Sequence, residues 1–112
     1  MSECIFCRIV SGEIPAAKVG ETDQVLAFRD VSPQAPTHVL LIPKEHLDSA
    51  AAVGVEHGEM MSDLFGLASL VADQEGLRGW RLVTNVGPEA GQTVPHLHFH
   101  LLGGRTLGWP PG

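Results

Sequence analysis

Positive charge is scarce in this chain: seven Lys and Arg stand against thirteen Asp and Glu, for a formal net charge of −6. No run of basic residues occurs, so broad contact with a nucleic-acid backbone or an anionic membrane gains no electrostatic support. A small anionic ligand is not excluded, because a few local donors outweigh global charge. No hydrophobic stretch approaches the roughly 18 residues of a membrane-spanning helix. The start MSECIFCRIV lacks the basic, apolar, small-residue order of a secretory signal. These absences lead us to expect a cytoplasmic protein with no nucleic-acid or membrane partner. Internal repeats, low-complexity tracts and linker-like composition shifts are also missing, so residues 1–112 read as one domain.

Cysteine is nearly absent too. The two that occur, Cys4 and Cys7, form a C-x-x-C pair. A structural disulfide is disfavoured in a reducing compartment. A redox pair is expected to follow a strand and open a helix, yet only Met1, Ser2 and Glu3 precede this one. Zinc is therefore the leading reading, with free thiols and redox chemistry as alternatives. Tetrahedral zinc needs two more ligands, and six histidines are available: His38, His46, His57, His96, His98 and His100.

What is present is patterned. CIFCRIVSG suggests a short helical turn ended by Gly12. VLAFR (Val25–Arg29) and HVLLI (38–42) read as strands, the second covered on both faces and stopped by Pro43. DVSPQAPT between them is a loop. Over 56–75, Met61, Leu64, Phe65, Ala68, Val71 and Ala72 recur three or four apart, with Gly76 placed to end a helix. WRLVTNV (80–86) is a strand, GPEAGQT a glycine-bearing loop and 96–102 another strand. Strands on either side of one long helix argue for α+β with an antiparallel sheet covered on one face.

Side chains alternate along a strand, so His96, His98 and His100 share one face while Leu97, Phe99 and Leu101 share the other. The apolar face packs on the core. Three imidazoles are a poor choice for a plain solvent face. A single metal held by all three is awkward, because Cα atoms four apart are about 13 Å distant while two Zn–N bonds span only about 4 Å. Division of labour is easier: one histidine for a metal, the others as nucleophile and proton carrier. In GPEAGQT, Gly87 and Gly91 let backbone N–H groups converge where they could hold phosphate oxygens. No Gly-Lys-Ser/Thr follows, so this is not a P-loop.

The run His96-Leu97-His98-Phe99-His100-Leu101-Leu102 matches the His-φ-His-φ-His-φ-φ pattern. With SPQAPTHVLLIPKEH, NVGPEAGQT, LLGGR and the terminal WPPG, nearly the whole chain resembles the nucleotide-binding, Hint-type branch of the histidine triad superfamily. WPPG separates this branch from the dinucleoside polyphosphate hydrolase and galactose-1-phosphate uridylyltransferase branches. The resemblance implies an α+β fold with a five-stranded antiparallel sheet, one long helix and a short N-terminal helix, the sheet continuing across a homodimer. It implies hydrolysis of purine nucleoside phosphoramidates or acyl-adenylates, His98 attacking the α-phosphorus and His100 and His38 moving protons. Asn85, Gly91, Gln92 and Thr93 are then expected to hold phosphate, Asp30 the ribose, and Phe6, Ile9, Phe28 and Val31 the base. Trp109 is expected to reach the partner's site. Cys4, Cys7, His46 and His96 correspond to the ligands of a structural zinc in zinc-bearing relatives. The alternative function is a nucleotide-sensing or scaffold dimer whose hydrolysis is incidental. Thr93 keeps the hydroxyl of the serine found in several relatives and adds a methyl. Pro95 removes a ladder donor before His96. His57 matches no functional position and is expected to be exposed on the helix's first turn.

Overall fold

The apolar runs of the first half pair at the centre of a sheet. The computed structural model describes residues 3–112. Its elements are α1 (Ile5–Val10), β1 (Lys18–Glu21), β2 (Val25–Arg29), β3 (Thr37–Pro43), α2 (Gly58–Gln74), β4 (Trp80–Val83) and β5 (Phe99–Gly103). The strands form one antiparallel sheet in the order β1-β2-β3-β5-β4. The expected α+β architecture is what the chain adopts.

Alternation sorts each central strand between two cores. Val25, Ala27, Val39 and Leu41 face one way and meet Met60, Leu64, Leu67, Ala68, Val71 and Ala72 of α2. Leu26, Phe28, Leu40 and Ile42 face the other way and meet Phe6 and Ile9 of α1. The sheet is therefore covered on both faces, not one: six helical residues at the N-terminus suffice, because two large side chains do the covering. α2 ends in a Schellman arrangement, Leu77 N–H donating to the Ala72 carbonyl and Gly76 N–H to that of Asp73, with Gly76 at φ +68°.

Three local expectations are corrected, and one strand is added that the apolar pattern does not announce. The buried stripe of α2 runs through Met60 and Leu67, whereas Phe65 is 51% exposed, resting its edge on Phe99. β1 was not legible as a strand, since its residues are exposed or half-buried and include Gly20. β4 stops at Val83 and β5 starts at Phe99, so His96 and His98 precede the ladder. His57 is not an exposed first-turn residue: its side chain is only 12% exposed, and its Nδ1 accepts from Gly54 N–H beside Glu45.

Candidate functional site

Burial of Leu97, Phe99 and Leu101 under α2 turns His96, His98 and His100 toward the α1 side. There Phe6 sets its ring edge against His96 and His98, with centroids 5.8 and 5.1 Å away. From that common face the three imidazoles enter two different clusters.

The first cluster joins the chain's beginning to the histidine segment. Cys4 Sγ lies 3.3 Å from His96 Nδ1, Cys7 Sγ 3.3 Å from His46 Nδ1 and 3.6 Å from His96 Nδ1. The two Nδ1 atoms are 3.1 Å apart. Tetrahedral zinc gives edges of about 3.3 Å between nitrogens and about 3.6 Å between nitrogen and sulfur, so this spacing fits. The tautomers fit as well. His96 Nε2–H donates to the Pro43 carbonyl at 2.9 Å, and His46 Nε2–H to Asp48 Oδ1 at 3.0 Å. Both Nδ1 lone pairs are thereby turned inward, where they repel each other unless a cation lies between them. An ion held by all four would have no open position, which is the arrangement of structural rather than catalytic metal sites.

The second cluster, Asp30, His38 and His100, also has metal-ligand residue types, but its hydrogen bonds describe a proton chain. Gln34 N–H donates to His38 Nδ1 at 3.0 Å, so the His38 proton sits on Nε2. That Nε2–H donates to His100 Nδ1 at 2.9 Å, which places the His100 proton on its own Nε2. Asp30 Oδ2 lies 3.4 Å from His38 Nε2. A metal on His38 Nε2 would push the proton to Nδ1, against the Gln34 amide.

His98 stands between the clusters. Its Nδ1–H donates to the His96 carbonyl at 2.7 Å, leaving the Nε2 lone pair available. Its ring centroid is 5.1 Å from that of His100. Burial pushes the His100 imidazolium down to about 4, helped by the neighbouring His98 and His38. Burial also lowers His38, with the Asp30 carboxylate opposing. A buried imidazole with an unprotonated nitrogen, beside a neutral imidazole presenting an N–H, is equipped for attack on an electrophile coupled to proton transfer.

The remaining expected residues fall around this centre unevenly. Phe6 meets Phe28 edge-on at 5.8 Å, and Ile9 packs with them. Val31 is 99% exposed and joins no wall in the monomer. Gly87 and Gly91, at φ +84° and +94°, bracket the turn Pro88–Ala90. Asn85 Nδ2 faces it, 3.9 Å from where a Gly91 Cβ would stand. Gln92 is engaged within the protein: its Oε1 accepts from Gly87 N–H, and its Nε2 donates to the carbonyls of Asp48 and Val94. Trp109 is 82% exposed and lies over Arg81, whose guanidinium donates to the Gly108 carbonyl.

Residues 11–107 match the HIT domain family model. The chain belongs to the HIT domain family. An uncharacterised HIT-like protein of Synechococcus elongatus is 53% identical over the full length of both chains. The adenylylsulfatase HINT1 of Arabidopsis thaliana is 49% identical, covering 99% of this chain and 78% of the relative. A 14 kDa zinc-binding protein of Zea mays is 50% identical, covering 99% of this chain and 89% of its own. Among solved structures, a HIT family hydrolase from Legionella pneumophila superposes with a TM-score of 0.96 at 49% identity, covering 98% of this chain and all of the other. Pattern reading singled out every histidine that the structure brings into these two clusters, and His98 between them. It missed Gln34, Pro43 and Asp48, and for Gln34 and Pro43 no signal existed, because they act through main-chain atoms.

Proposed function

We propose that the protein is a nucleotide hydrolase that cleaves purine nucleoside phosphoramidates or acyl-adenylates through a nucleotidyl-His98 intermediate. The observation that carries this reading is the pair of opposed tautomers: His98 presents a lone pair and His100 an N–H from adjacent rings. Membership in a family with named hydrolases, and an adenylylsulfatase among the relatives, support nucleotide chemistry.

In the first step His98 Nε2 bonds the α-phosphorus, the P–N bond breaks, and the leaving amine takes the Nε2 proton of His100. His98 becomes cationic, which offsets the charge left on the His38–His100 pair. In the second step water adds its oxygen to phosphorus, the P–Nε2 bond breaks, and the water's proton returns to His100. Asp30 binds the ribose hydroxyls, and Phe6, Ile9 and Phe28 wall the base. Asn85, Gly91 and Thr93 approach the phosphate, while Gln92 shapes the turn from behind. Cys4, Cys7, His46 and His96 hold a structural zinc that ties α1 to the catalytic segment. Wild-type turnover of an adenosine phosphoramidate, lost in His98→Ala with adenylate binding retained, tests the assignment. Retained turnover in that variant sinks it.

The active form is a cytoplasmic homodimer. The free edge of β4, the half-exposed Trp80 upon it, and the solvent-facing Trp109 support pairing there. In that assembly Trp109 reaches the partner's site. A sensor or scaffold role in place of hydrolysis predicts nucleotide binding without turnover.

A further inference from the structure

The segment LLGGR has no part in the chemistry above, yet it touches the loop that orients the proton chain. After β5 the chain turns at Gly104, with φ +90°. A Cβ there would stand 2.8 Å from Cβ of Pro36 and 3.5 Å from Thr37 N, so the 30–36 loop rests directly on this turn. Arg105 then donates from Nη2 to the Gln34 carbonyl at 3.0 Å, and from Nη1 to the Thr106 carbonyl at 3.0 Å. The same Gln34 offers its N–H to His38 Nδ1 at 3.0 Å. Within the loop, the Gln34 side chain donates to the Ser32 carbonyl and Asp30 Oδ1 accepts from Ser32 N–H. The loop is thus stiff, and Arg105 is its tie to the catalytic strand.

We propose that Arg105 is a positioning residue: by anchoring residue 34 through its carbonyl, it keeps that residue's own N–H, in the preceding peptide, on His38 Nδ1, and so keeps the proton of His100 on the nitrogen that faces substrate. A neutral imidazole carries its proton on either nitrogen, and the hydrogen bond made by one nitrogen decides the other. With the Gln34 N–H in place, His38 Nδ1 must accept, so Nε2 must donate, so His100 Nδ1 must accept. If that N–H moves away, His38 Nδ1 loses its donor and the reverse chain becomes available, opposed by the Asp30 carboxylate 3.4 Å from His38 Nε2; in the reverse chain His100 turns a lone pair toward the leaving group. A lone pair cannot protonate a departing amine.

The proposal rests on the hydrolase reading for its kinetic consequence but not for its structural one. The experiment is therefore a tautomer measurement by long-range proton–nitrogen NMR of labelled, zinc-loaded full-length protein, paired with kinetics. Wild type is expected to show Nε2–H on both His38 and His100. Arg105→Ala is expected to show mixed tautomers at both, with unchanged far-UV circular dichroism. Arg105→Lys, whose single ammonium still reaches one carbonyl, restores part of the population, and it carries the test should the alanine variant not fold. For adenosine phosphoramidates, kcat is expected to fall about tenfold in Arg105→Ala with KM within about twofold. A nitrophenyl nucleotide ester, whose leaving group departs without a proton, is expected to change less than about twofold. A folded Arg105→Ala with wild-type tautomers overturns the proposal, as does an equal loss on both substrates. If wild type turns over neither substrate, the hydrolase reading fails and the NMR result alone decides the role of Arg105.

Discussion

His98, just before β5, and His100, within it, sit two positions apart and differ in which nitrogen carries the proton. That difference comes from main-chain partners: the His96 carbonyl for one, the Gln34 amide through His38 for the other. The triad itself was legible, because period-two alternation with Leu97, Phe99 and Leu101 in the gaps put the imidazoles on one face. Their division between two clusters was legible as geometry, since one straight strand cannot wrap three ligands around a single ion. Tautomers were not legible, because the groups that set them are main-chain atoms, which residue type does not announce. The depressed proton affinity of His100 also has a stability consequence. The unfolded ring titrates at about 6.5, and the folded one at about 4. Between those values the unfolded chain binds the proton first, so stability falls as pH falls across that window and is fully present above about 6.5. Urea unfolding of wild type and His100→Gln at pH 7 and pH 5 is expected to show the larger acid loss in wild type. Equal losses would remove the link to His100.

At the scale of elements, α1 depends on tertiary partners. Six helical residues are too few to persist alone, so Phe6 and Ile9 in the second core, together with the Cys4–Cys7–His46–His96 cluster, must hold it. Chelation is therefore expected to lower Tm by about 10 °C, in the range of losing a tightly bound ion from a domain this size. An unchanged Tm, measured by circular dichroism with the metal loss verified, would speak against the zinc assignment. Leu97, fully buried between α2 and the sheet, anchors the register that presents the histidines. Leu97→Ala is expected to cost about 3 kcal/mol in chemical denaturation, whereas a cost below about 1 kcal/mol would place that side chain outside the core. β2, β3 and α2 could be read from apolar period. The stripe of α2 could not be read fully, since Met60 and Met61, like Phe65 and Leu67, are equally apolar and only packing chooses between them. β1 was hidden by Gly20, where a Cβ would meet Leu67 Cδ1 at 2.9 Å, so close approach displaced the usual strand residue.

For the molecule as a whole, a net charge of −6 coexists with a centre proposed to receive phosphate. Reception must then be local, by N–H donors and imidazoles, with global attraction contributing little. Raising ionic strength should accordingly change kcat/KM only slightly. The sheet ends in β4, whose outer edge is unpaired among the described residues and carries Trp80. Such an edge invites a second copy. Sedimentation at micromolar concentration is expected to give twice the 11.9 kDa chain mass; the monomer mass would mean that Trp109 serves its own chain, over Arg81, instead of a partner's site.

The claim on which the rest depends is that His98 Nε2 bonds phosphorus. The decisive measurement is adenylate release from an adenosine phosphoramidate by wild type and by His98→Ala, alongside adenylate affinity for both. Turnover confined to wild type, with affinity retained in the variant, is the predicted result. Turnover by the variant at a comparable rate would contradict the account, as would none by a wild type that still binds adenylate.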